Sequence, residues 1–373
     1  MTSSNDDTWN PNVFFTVMKI AVGMSGGVDS SVSALLLKKG GHDVIGVIMR
    51  IWDGRYSMPA RKNACFGPDE AEDVASAQQV CDHLGIPLHV INCAQQYEEF
   101  VLQYFRSEYI AGRTPNPCVR CNHMIKFGLL PKLLREKGER FDLFATGHYA
   151  RIEFNQSSRR YLLKKGVDPA KDQSYFLYRL SQEQLSGIIF PLGEYHKESV
   201  KQIARDAGLS VSDKKESQDF CSGDYGAILN AENREGPIID SHGKMLGTHQ
   251  GIWNFTVGQR KGIGVAFSEA LYVIKIDPEH NAVVVGTRDE VRRSRCMVSQ
   301  INWIAAEKPE SRMDAMVKVR STDQGNPATI ELTGPDSATV SFVEPHAAIP
   351  PGQSAVFYDG NVMIGGGIIA SVE

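Results

Sequence analysis

The sequence predicts an α/β protein: a parallel sheet covered by helices, followed by a small mixed domain and a C-terminal antiparallel β-barrel. Three observations lead to this prediction. Strand-like and helix-like segments alternate through the first half, short glycine-rich apolar segments follow, and regularly spaced strand-like segments fill the last part. At 373 residues, the chain is also longer than a single hydrophobic core usually supports.

The first half opens with an apolar strand at 17–22, and the helix after it ends in lysines and glycines. A second strand covers 43–49, and the next helix opens with Pro68 and acidic residues and ends at Gly85. PLHVI and FDLFATGHY are two further strands with helical segments between them, one with a kink expected at Pro131. Strands separated by such helices require right-handed crossovers, which build a parallel sheet.

Changes in composition along the chain set the predicted domain boundaries. Residues 1–16 are expected to be a loose extension, and 17–225 to be the α/β domain. Residues 226–287 contain many glycines and short apolar pieces, which predicts a small central domain. From 288 to 373, regularly spaced strands and a DGN turn signal predict the β-barrel.

Composition is that of a soluble globular protein, with 42% hydrophobic and 23% charged residues. No uninterrupted apolar run approaches the length of a membrane span. Asp6 and Asp7, with no arginine before Arg50, do not fit a signal or transit peptide, so we expect a cytosolic location. The net charge of −4 gives no bulk electrostatic argument for nucleic acid, so such a partner would need a local basic patch.

A glycine- and serine-rich loop, GMSGGVDSS at 23–31, separates the first strand from the first helix. Adjacent glycines let backbone N–H groups turn toward an anion, and the helix N-terminus adds partial positive charge. Parallel sheets bind ligands at this position. The loop lacks the GK[ST] ending of a Walker A motif, so it predicts a different phosphate cradle. The alternative is a serine N-cap on an ordinary helix.

The segment TPNPCVRCNHMIKFG, residues 114–128, places Cys118 and Cys121 three apart. Spacing alone leaves half of a metal site, a redox pair and a single reactive thiol all open. We expect Cys121 to lie just before a helix, where the helix dipole lowers the pKa of a thiol. Seven cysteines in a long chain predict reduced thiols. Of the other cysteines, four are expected to be buried structural thiols: Cys65, Cys81, Cys93 and Cys296. The role of Cys65 stays open, because it lies in a loop near the face of the sheet where the active site is expected.

The SGGxDS loop resembles the PP-loop of ATP pyrophosphatases, which cleave ATP between the α- and β-phosphates to adenylate an oxygen. Six further segments occur together in one family: GRTPNPCVRCNHMIKFG, ATGHYAR, KDQSYFLYRL, SQDFCSGDY, GQRKGIGV and PGQSAVFYDG. From about residue 18 to its end, the chain resembles the tRNA-specific 2-thiouridylases, which are tRNA-uridine 2-sulfurtransferases. The resemblance implies a PP-loop ATPase domain, a small central domain and a C-terminal barrel. It also implies ATP-dependent replacement of the C2 oxygen of the wobble uridine by sulfur.

The resemblance also assigns site residues. Cys121 falls on the family's nucleophile and Cys221 on its persulfide carrier, with a transient disulfide between them. The ATP-binding positions are Val22, Gly23, Met24, Ser25, Gly26, Gly27, Val28, Asp29, Met49 and Gly147. The positions that hold the target base are Asn116, Pro117 and Cys118. The tRNA-contacting positions are His148, Lys171, Asp172, Gln173, Arg320, Ser321 and Gln353.

Asp29 would also help to place Mg²⁺ beside the pyrophosphate. Replacing Asp29 or Gly27 is therefore expected to abolish adenylation and to leave the fold nearly intact, because the loop lies at the surface end of a strand. The implied partners are tRNAs, those for lysine, glutamate and glutamine, together with a cysteine desulfurase or sulfur-relay protein. The chemistry is consistent with two distant cysteines, since one thiol carries the persulfide sulfur and a second releases it.

Position 118 departs from the family pattern, in which it is acidic. The three thiols of Cys118, Cys121 and Cys221 could hold an iron–sulfur cluster with one open iron. A zinc site completed by His123 is disfavoured because it would sequester the nucleophile. The persulfide route needs only two of these thiols, with Cys118 lining the base pocket, and is preferred. Two other functions stay open: a PP-loop synthetase with a small-molecule acceptor, and a nucleotide or iron–sulfur binding module without turnover.

Overall fold

The computed structural model describes residues 16–58, 64–212, 214, 219–221, 225–230 and 234–373. The predicted N-terminal extension, apart from its last residue, lies outside this part of the chain. The described residues form two compact units: the first holds those up to residue 97 and those from 121 to 222, and the second holds those from 98 to 120 and those from 223 onward.

The strands are, in chain order, β1 Lys19–Gly23, β2 Asp43–Arg50, β3 Ala64–Phe66, β4 Leu88–Asn92, β5 Leu143–Thr146, β6 Ala150–Asn155, β7 Arg160–Lys165, β8 Ile188–Ile189, β9 Asp219–Cys221, β10 Gly236–Ile239, β11 Met245–His249, β12 Tyr272–Asp277, β13 Ala282–Gly286, β14 Arg293–Trp303, β15 Arg312–Lys318, β16 Asn326–Gly334, β17 Ser337–His346, β18 Ser354–Asp359 and β19 Val362–Val372. The α-helices are α1 Val28–Lys39, α2 Glu70–Leu84, α3 Ala94–Tyr97, α4 Gln103–Ile110, α5 Pro117–Cys121, α6 Leu130–Glu136, α7 Gln182–Ser186, α8 Lys197–Asp206, α9 Tyr225–Leu229 and α10 Arg288–Val291. Two π-helical stretches, Glu98–Leu102 and Asn122–Leu129, and two 3₁₀ turns, Ser174–Leu177 and Ile252–Asn254, complete the assignment.

The first unit contains the parallel sheet that the sequence predicts, with strand order β4-β2-β1-β5-β8. Its central strand is apolar on both faces, and Ile20, Ala21 and Val22 are fully buried. A strand that packs helices on both sides has no solvent-facing side, which explains the continuous apolar run in the sequence. The same unit contains the antiparallel hairpin β6–β7 and the parallel pair β3–β9.

The glycine stop signals of the first two helices in this unit are confirmed, whereas α2 begins at Glu70, two residues after the predicted Pro68. Helix α2 ends where predicted, because Gly85 adopts a left-handed conformation with φ of +60°. The kink expected at Pro131 takes another form: residues 117–136 stay helical, with the π-helical stretch Asn122–Leu129 just before α6. Proline has no N–H to donate to the preceding turn, and a wider π turn is one way for a helix to absorb that loss.

The second unit contains two β structures. Strands β11-β10-β13-β12 form a small mixed sheet. The antiparallel strands β14-β17-β16-β15-β18-β19 close into a barrel through the pairing of β19 with β14. The DGN signal is confirmed as a two-residue hairpin, in which Asp359 pairs with Val362 and Gly360 has φ of +55°.

The predicted fold class is therefore confirmed, and the three domain boundaries stay predictions. None of the helices in the described ranges is long and apolar enough to cross a membrane.

Candidate active site at the carboxyl edge of the parallel sheet

The glycine-rich loop begins where the strand order of the sheet reverses. From β1 the chain continues to β2 and β4 on one side, and later to β5 and β8 on the other. Gly23, the last residue of β1, is in register with Val47 on one side and Thr146 on the other. Open parallel sheets bind ligands at the carboxyl ends of their strands at such a point. The predicted phosphate loop therefore has the position of a ligand site.

The two central glycines of the loop have different roles. Gly26 has φ of +66°, and a Cβ there would lie 2.3 Å from the carbonyl oxygen of Asp73. A Cβ on Gly27 would meet only the hydroxyl of Ser25, at 3.4 Å, which is an ordinary contact. The fold thus requires a glycine at 26, whereas at 27 the space beside the backbone is open to an approaching ligand.

Helix α1 starts without a capping side chain, because its N-cap residue is Gly27. The alternative of a serine N-cap is therefore wrong. The Ser30 and Ser31 hydroxyls instead donate to the Gly27 carbonyl at 3.2 and 2.7 Å, and the Ser30 oxygen accepts from the Ser25 N–H at 3.1 Å. The first N–H groups of a helix have no intrahelical partner, so this end of α1 has the donors and the dipole that an anion needs.

The remaining positions expected to bind ATP lie at the same edge. Val22 and Met24 flank the end of β1 and are buried, Val28 opens α1, and Met49 is half-buried near the end of β2. Gly147 follows β5 directly, and a Cβ there would lie 2.7 Å from the carbonyl carbon of Asp29. Only glycine allows the loop after β5 to pack so closely on the first turn of α1.

Asp29 is not a free carboxylate. The Lys197 ammonium donates to both of its oxygens, at 2.7 and 2.8 Å, and the Tyr149 hydroxyl donates to one of them at 2.8 Å. Its charge is balanced within the protein, and its predicted role in placing Mg²⁺ stays a prediction. Sequence reasoning missed Lys197, which is 168 residues away in the chain and looks like the polar start of an ordinary helix.

Cys121 lies inside a helix and not before one. Helix α5 begins at Pro117, and the Asn116 side chain caps it by accepting from the Val119 N–H at 3.2 Å. Burial raises the pKa of Cys121 to about 12, the neighbouring thiols of Cys65 and Cys93 raise it, and the Lys126 ammonium opposes this shift. The expected lowering of the thiol pKa is therefore wrong, because desolvation outweighs the helix dipole.

His148 is a neutral imidazole in this structure. Burial and the charge of Lys126 place its pKa well below 6.5. Its Nδ1 and the Thr146 hydroxyl are 2.6 Å apart, and the rings of Phe127 and Phe190 lie 5.5 and 5.7 Å away. A residue in this state can stack or form a hydrogen bond, but it brings no positive charge to a phosphate.

Two cysteines lie on the strand pair β3–β9. Cys221 is buried in β9 and pairs in register with Phe66. Cys65 is exposed, and its thiol lies 3.5 Å from the Phe220 carbonyl oxygen, to which it donates. The prediction of buried structural thiols is confirmed for three residues whose pKa values burial raises to about 11, 11 and 12: Cys81, Cys93 and Cys296.

Nowhere in the described ranges do three or more histidine, cysteine, aspartate or glutamate side chains group as metal ligands would. The iron–sulfur interpretation therefore has no structural support.

Internal hydrogen bonds hold all three adjacent residues expected to contact tRNA, and the Lys171 N–H donates to the Asp168 carbonyl at 3.1 Å. Asp172 accepts from the N–H groups of Gly166 and Ser174, at 3.2 and 3.1 Å. Gln173 exchanges hydrogen bonds with the backbone of Tyr149, at 2.9 and 3.0 Å. Both residues fix the turn that carries the half-buried Lys171.

The second unit holds the other predicted contact residues. Gln353 donates to the Pro115 carbonyl at 3.1 Å, and the Thr114 N–H donates to the Pro351 carbonyl at 2.8 Å, which ties the segment before Asn116 to a barrel loop. Arg320 is half-buried and donates to the Val257 carbonyl at 3.1 Å. Ser321 is exposed, and Pro117 and Cys118 are buried and half-buried, respectively.

Three family models match the chain. A tRNA methyl transferase HUP domain matches residues 18–222, which is more than half of the chain. A tRNA methyl transferase PRC-barrel domain matches 228–287, and an aminomethyltransferase β-barrel domain matches 293–369.

Curated relatives are similar over nearly their whole length. The tRNA-specific 2-thiouridylase MnmA of Endomicrobium trichonymphae is 45% identical over 95% of this chain and 99% of its own. MnmA 1 of Caldanaerobacter subterraneus is 46% identical over 94% and 97%, and MnmA of Clostridioides difficile is 41% identical over 95% and 99%. The chain therefore belongs to the family of tRNA-specific 2-thiouridylases.

Proposed function

We propose that this protein is a tRNA-uridine 2-sulfurtransferase, which uses ATP to replace the C2 oxygen of a wobble uridine with sulfur. The observation that carries the proposal is the uncapped glycine loop at the strand-order reversal, in the same unit as Cys121 and Cys221. Identity of 45% over 95% of the chain to a tRNA-specific 2-thiouridylase supports the same substrate class.

In the activation step, the C2 oxygen of uridine attacks the α-phosphorus of ATP, and pyrophosphate leaves. The N–H groups at the start of α1 and in the loop stabilise the negative charge on the departing pyrophosphate. The product is an adenylated C2 oxygen, which is a good leaving group. Mg²⁺ bound with the triphosphate would neutralise part of its charge, and Asp29, whose carboxylate pairs with Lys197, is the residue that would help to place it.

In the sulfur step, the terminal sulfur of a persulfide on Cys221 attacks C2, and AMP leaves. The thiolate of Cys121 then attacks the Sγ of Cys221, which forms a disulfide and releases 2-thiouridine. A reductant outside the protein restores both thiols. Because the pKa of Cys121 is about 12, this thiol must lose its proton during the reaction, and Lys126 is the cation that favours the loss.

Substrate binding follows from the same proposal. Asn116, Pro117 and Cys118 hold the target base, and Lys171, Arg320, Ser321 and Gln353 contact the tRNA. His148 contributes as a neutral ring, whereas Asp172 and Gln173 act by fixing the turn that carries Lys171. The tRNA substrates are those for lysine, glutamate and glutamine, the sulfur comes from a cysteine desulfurase or sulfur-relay protein, and the reaction takes place in the cytosol.

Pyrophosphate release from ATP, measured with and without unmodified tRNA, tests the activation step. A tRNA thiolase releases pyrophosphate only when tRNA is present. Release without tRNA, stimulated by a metabolite, would identify a small-molecule synthetase. No release under either condition would identify a binding module without turnover.

Serine variants of the two cysteines test the sulfur step. Cys121→Ser and Cys221→Ser should each abolish thiolation and keep tRNA affinity, since affinity comes mainly from phosphate contacts. Only the protein that retains Cys221 should accept ³⁵S as a persulfide. Label that follows Cys121 would show that the two roles are exchanged. Cys296→Ser, in the barrel core, is the matched control and should keep both activities.

A further inference from the structure

We propose that Lys197 is a positioning residue for ATP, whose buried ammonium cancels the charge of Asp29 and thereby lets a polyphosphate bind at the start of α1. The inference rests on the proposed function and adds a residue from α8, outside the loop motif. The loop has no Walker lysine, so the cation near its phosphate site comes from another part of the chain.

Asp29 presents an electrostatic problem for the loop that contains it. It is the second residue of α1, so its carboxylate lies in the helical turn that attracts anions. An uncompensated carboxylate there would interact with the positive end of the helix itself and repel an incoming phosphate. A phosphate site with an acidic residue in this position therefore needs a countercharge.

Lys197 provides that countercharge from the start of α8. Its side chain is 5% exposed and that of Asp29 is 27% exposed, so the carboxylate is the more accessible member of the pair. Among the lysines in the described ranges, Lys197 alone is buried. Burying an ammonium carries a large desolvation penalty that an ion pair often fails to recover, so fold stability alone is a poor explanation for this lysine.

The surroundings of Lys197 hold its ammonium in one place. Its backbone N–H, at the start of α8, donates to a carboxylate oxygen of the buried Asp168 at 2.9 Å. Its ammonium lies 5.8 Å from the centre of the Tyr149 ring, and the hydroxyl of that tyrosine also donates to Asp29. Asp29 is thus held by donors from α8 and from the residue before β6, which fixes the carboxylate as well as neutralising it.

Binding of a non-hydrolysable ATP analogue, measured by calorimetry, tests the proposal in two variants. Lys197→Met should weaken binding about tenfold or more, because it leaves the Asp29 charge uncompensated. The double variant Asp29→Asn/Lys197→Met removes both charges with side chains of similar shape, and should regain most of the affinity that Lys197→Met loses. Lys19→Met removes a lysine ion-paired to Glu139 at the other end of β1, and should leave binding unchanged.

Three results would overturn the proposal. A double variant that binds as weakly as Lys197→Met would mean that the lysine contacts the phosphates directly. Lys197→Met that binds as well as wild type would mean that the charge of Asp29 is irrelevant. Wild-type protein that binds no ATP would overturn the proposed function as well. If Lys197→Met does not fold, the double variant decides alone, and binding about tenfold weaker than wild type contradicts the proposal.

Discussion

The two ends of the central strand β1 each carry a lysine–carboxylate pair, in very different surroundings. At the amino end, Lys19 and Glu139 are 3.0 Å apart, and their side chains are 35% and 26% exposed. At the carboxyl end, Lys197 and Asp29 are 2.7 Å apart, and the lysine is 5% exposed. Exposed pairs contribute about 0–1 kcal/mol, whereas removing one partner of a buried pair is strongly destabilising. The two ion pairs therefore have similar distances but different roles. The Lys19 pair is a partly solvated contact, whereas Lys197 is a buried countercharge for the carboxylate in the phosphate loop.

The largest effect is expected from Asp29→Asn, which leaves the Lys197 ammonium buried without its carboxylate. We expect a loss of about 3 kcal/mol in the free energy of unfolding, measured by urea denaturation. Asp29→Asn/Lys197→Met should recover most of the loss because no charge remains. If Asp29→Asn is as stable as wild type, water reaches the Lys197 ammonium, and the ion pairs at the two ends of β1 have similar surroundings.

Gly26 and Gly27, in the loop after β1, are expected to affect stability and ATP binding differently. Gly26→Ala should destabilise the fold by about 1–3 kcal/mol, because it places a Cβ at positive φ against Asp73. Gly27→Ala should change stability by about 0.5 kcal/mol or less and weaken ATP binding, because its Cβ points into open space at the loop. Thermal unfolding and ATP titration of both variants check this. Equal stability losses would contradict the division of roles.

The raised pKa of the Cys121 thiol gives a pH-dependent test. With its pKa raised to about 12, Cys121 is almost wholly protonated at pH 8, and its thiolate fraction rises about tenfold per pH unit up to pH 11. Iodoacetamide labelling followed by peptide mass spectrometry should therefore modify exposed Cys65 well before Cys121. Lys126→Met should slow labelling of Cys121 further, since it removes the opposing cation. Faster labelling of Cys121 than of Cys65 at pH 8 would show a lowered pKa instead.

The smallest effect is expected at the amino end. Lys19→Met should reduce the free energy of unfolding far less than Asp29→Asn does, and by still less in 1 M salt, because the ammonium is about one-third exposed and solvent screens the pair. Urea denaturation at low and high salt checks this. A loss as large as that of Asp29→Asn would remove the contrast between the two ends.

Features with local causes were predictable from the sequence. The alternation of apolar strands and helices, the helix stop at Gly85 and the hairpin at Gly360 each follow from residues within a few positions. The phosphate loop was recognisable for the same reason, since its glycines and the start of α1 are adjacent in the chain.

Features made by distant contacts were not predictable. The expectation that Asp29→Asn leaves the fold nearly intact did not include Lys197, because no local pattern links residues 168 positions apart. The pKa of Cys121 is set by burial, which depends on tertiary packing.

The start of α5 did have a local signal: Asn116 followed by Pro117 is a good N-cap and first helical residue, although the same pair also resembles a turn.

Mass spectrometry of nucleosides from a reconstituted reaction measures the proposed conversion of uridine to 2-thiouridine. The purified protein is incubated with unmodified tRNA for lysine, ATP, a reductant, and a cysteine desulfurase with L-cysteine, and the digested tRNA is analysed for 2-thiouridine. The proposed function predicts 2-thiouridine that depends on ATP, Cys121 and Cys221, with one pyrophosphate released for each nucleoside formed. Unmodified uridine in the complete reaction, or 2-thiouridine formed equally well without ATP or with Cys221→Ser, would contradict it.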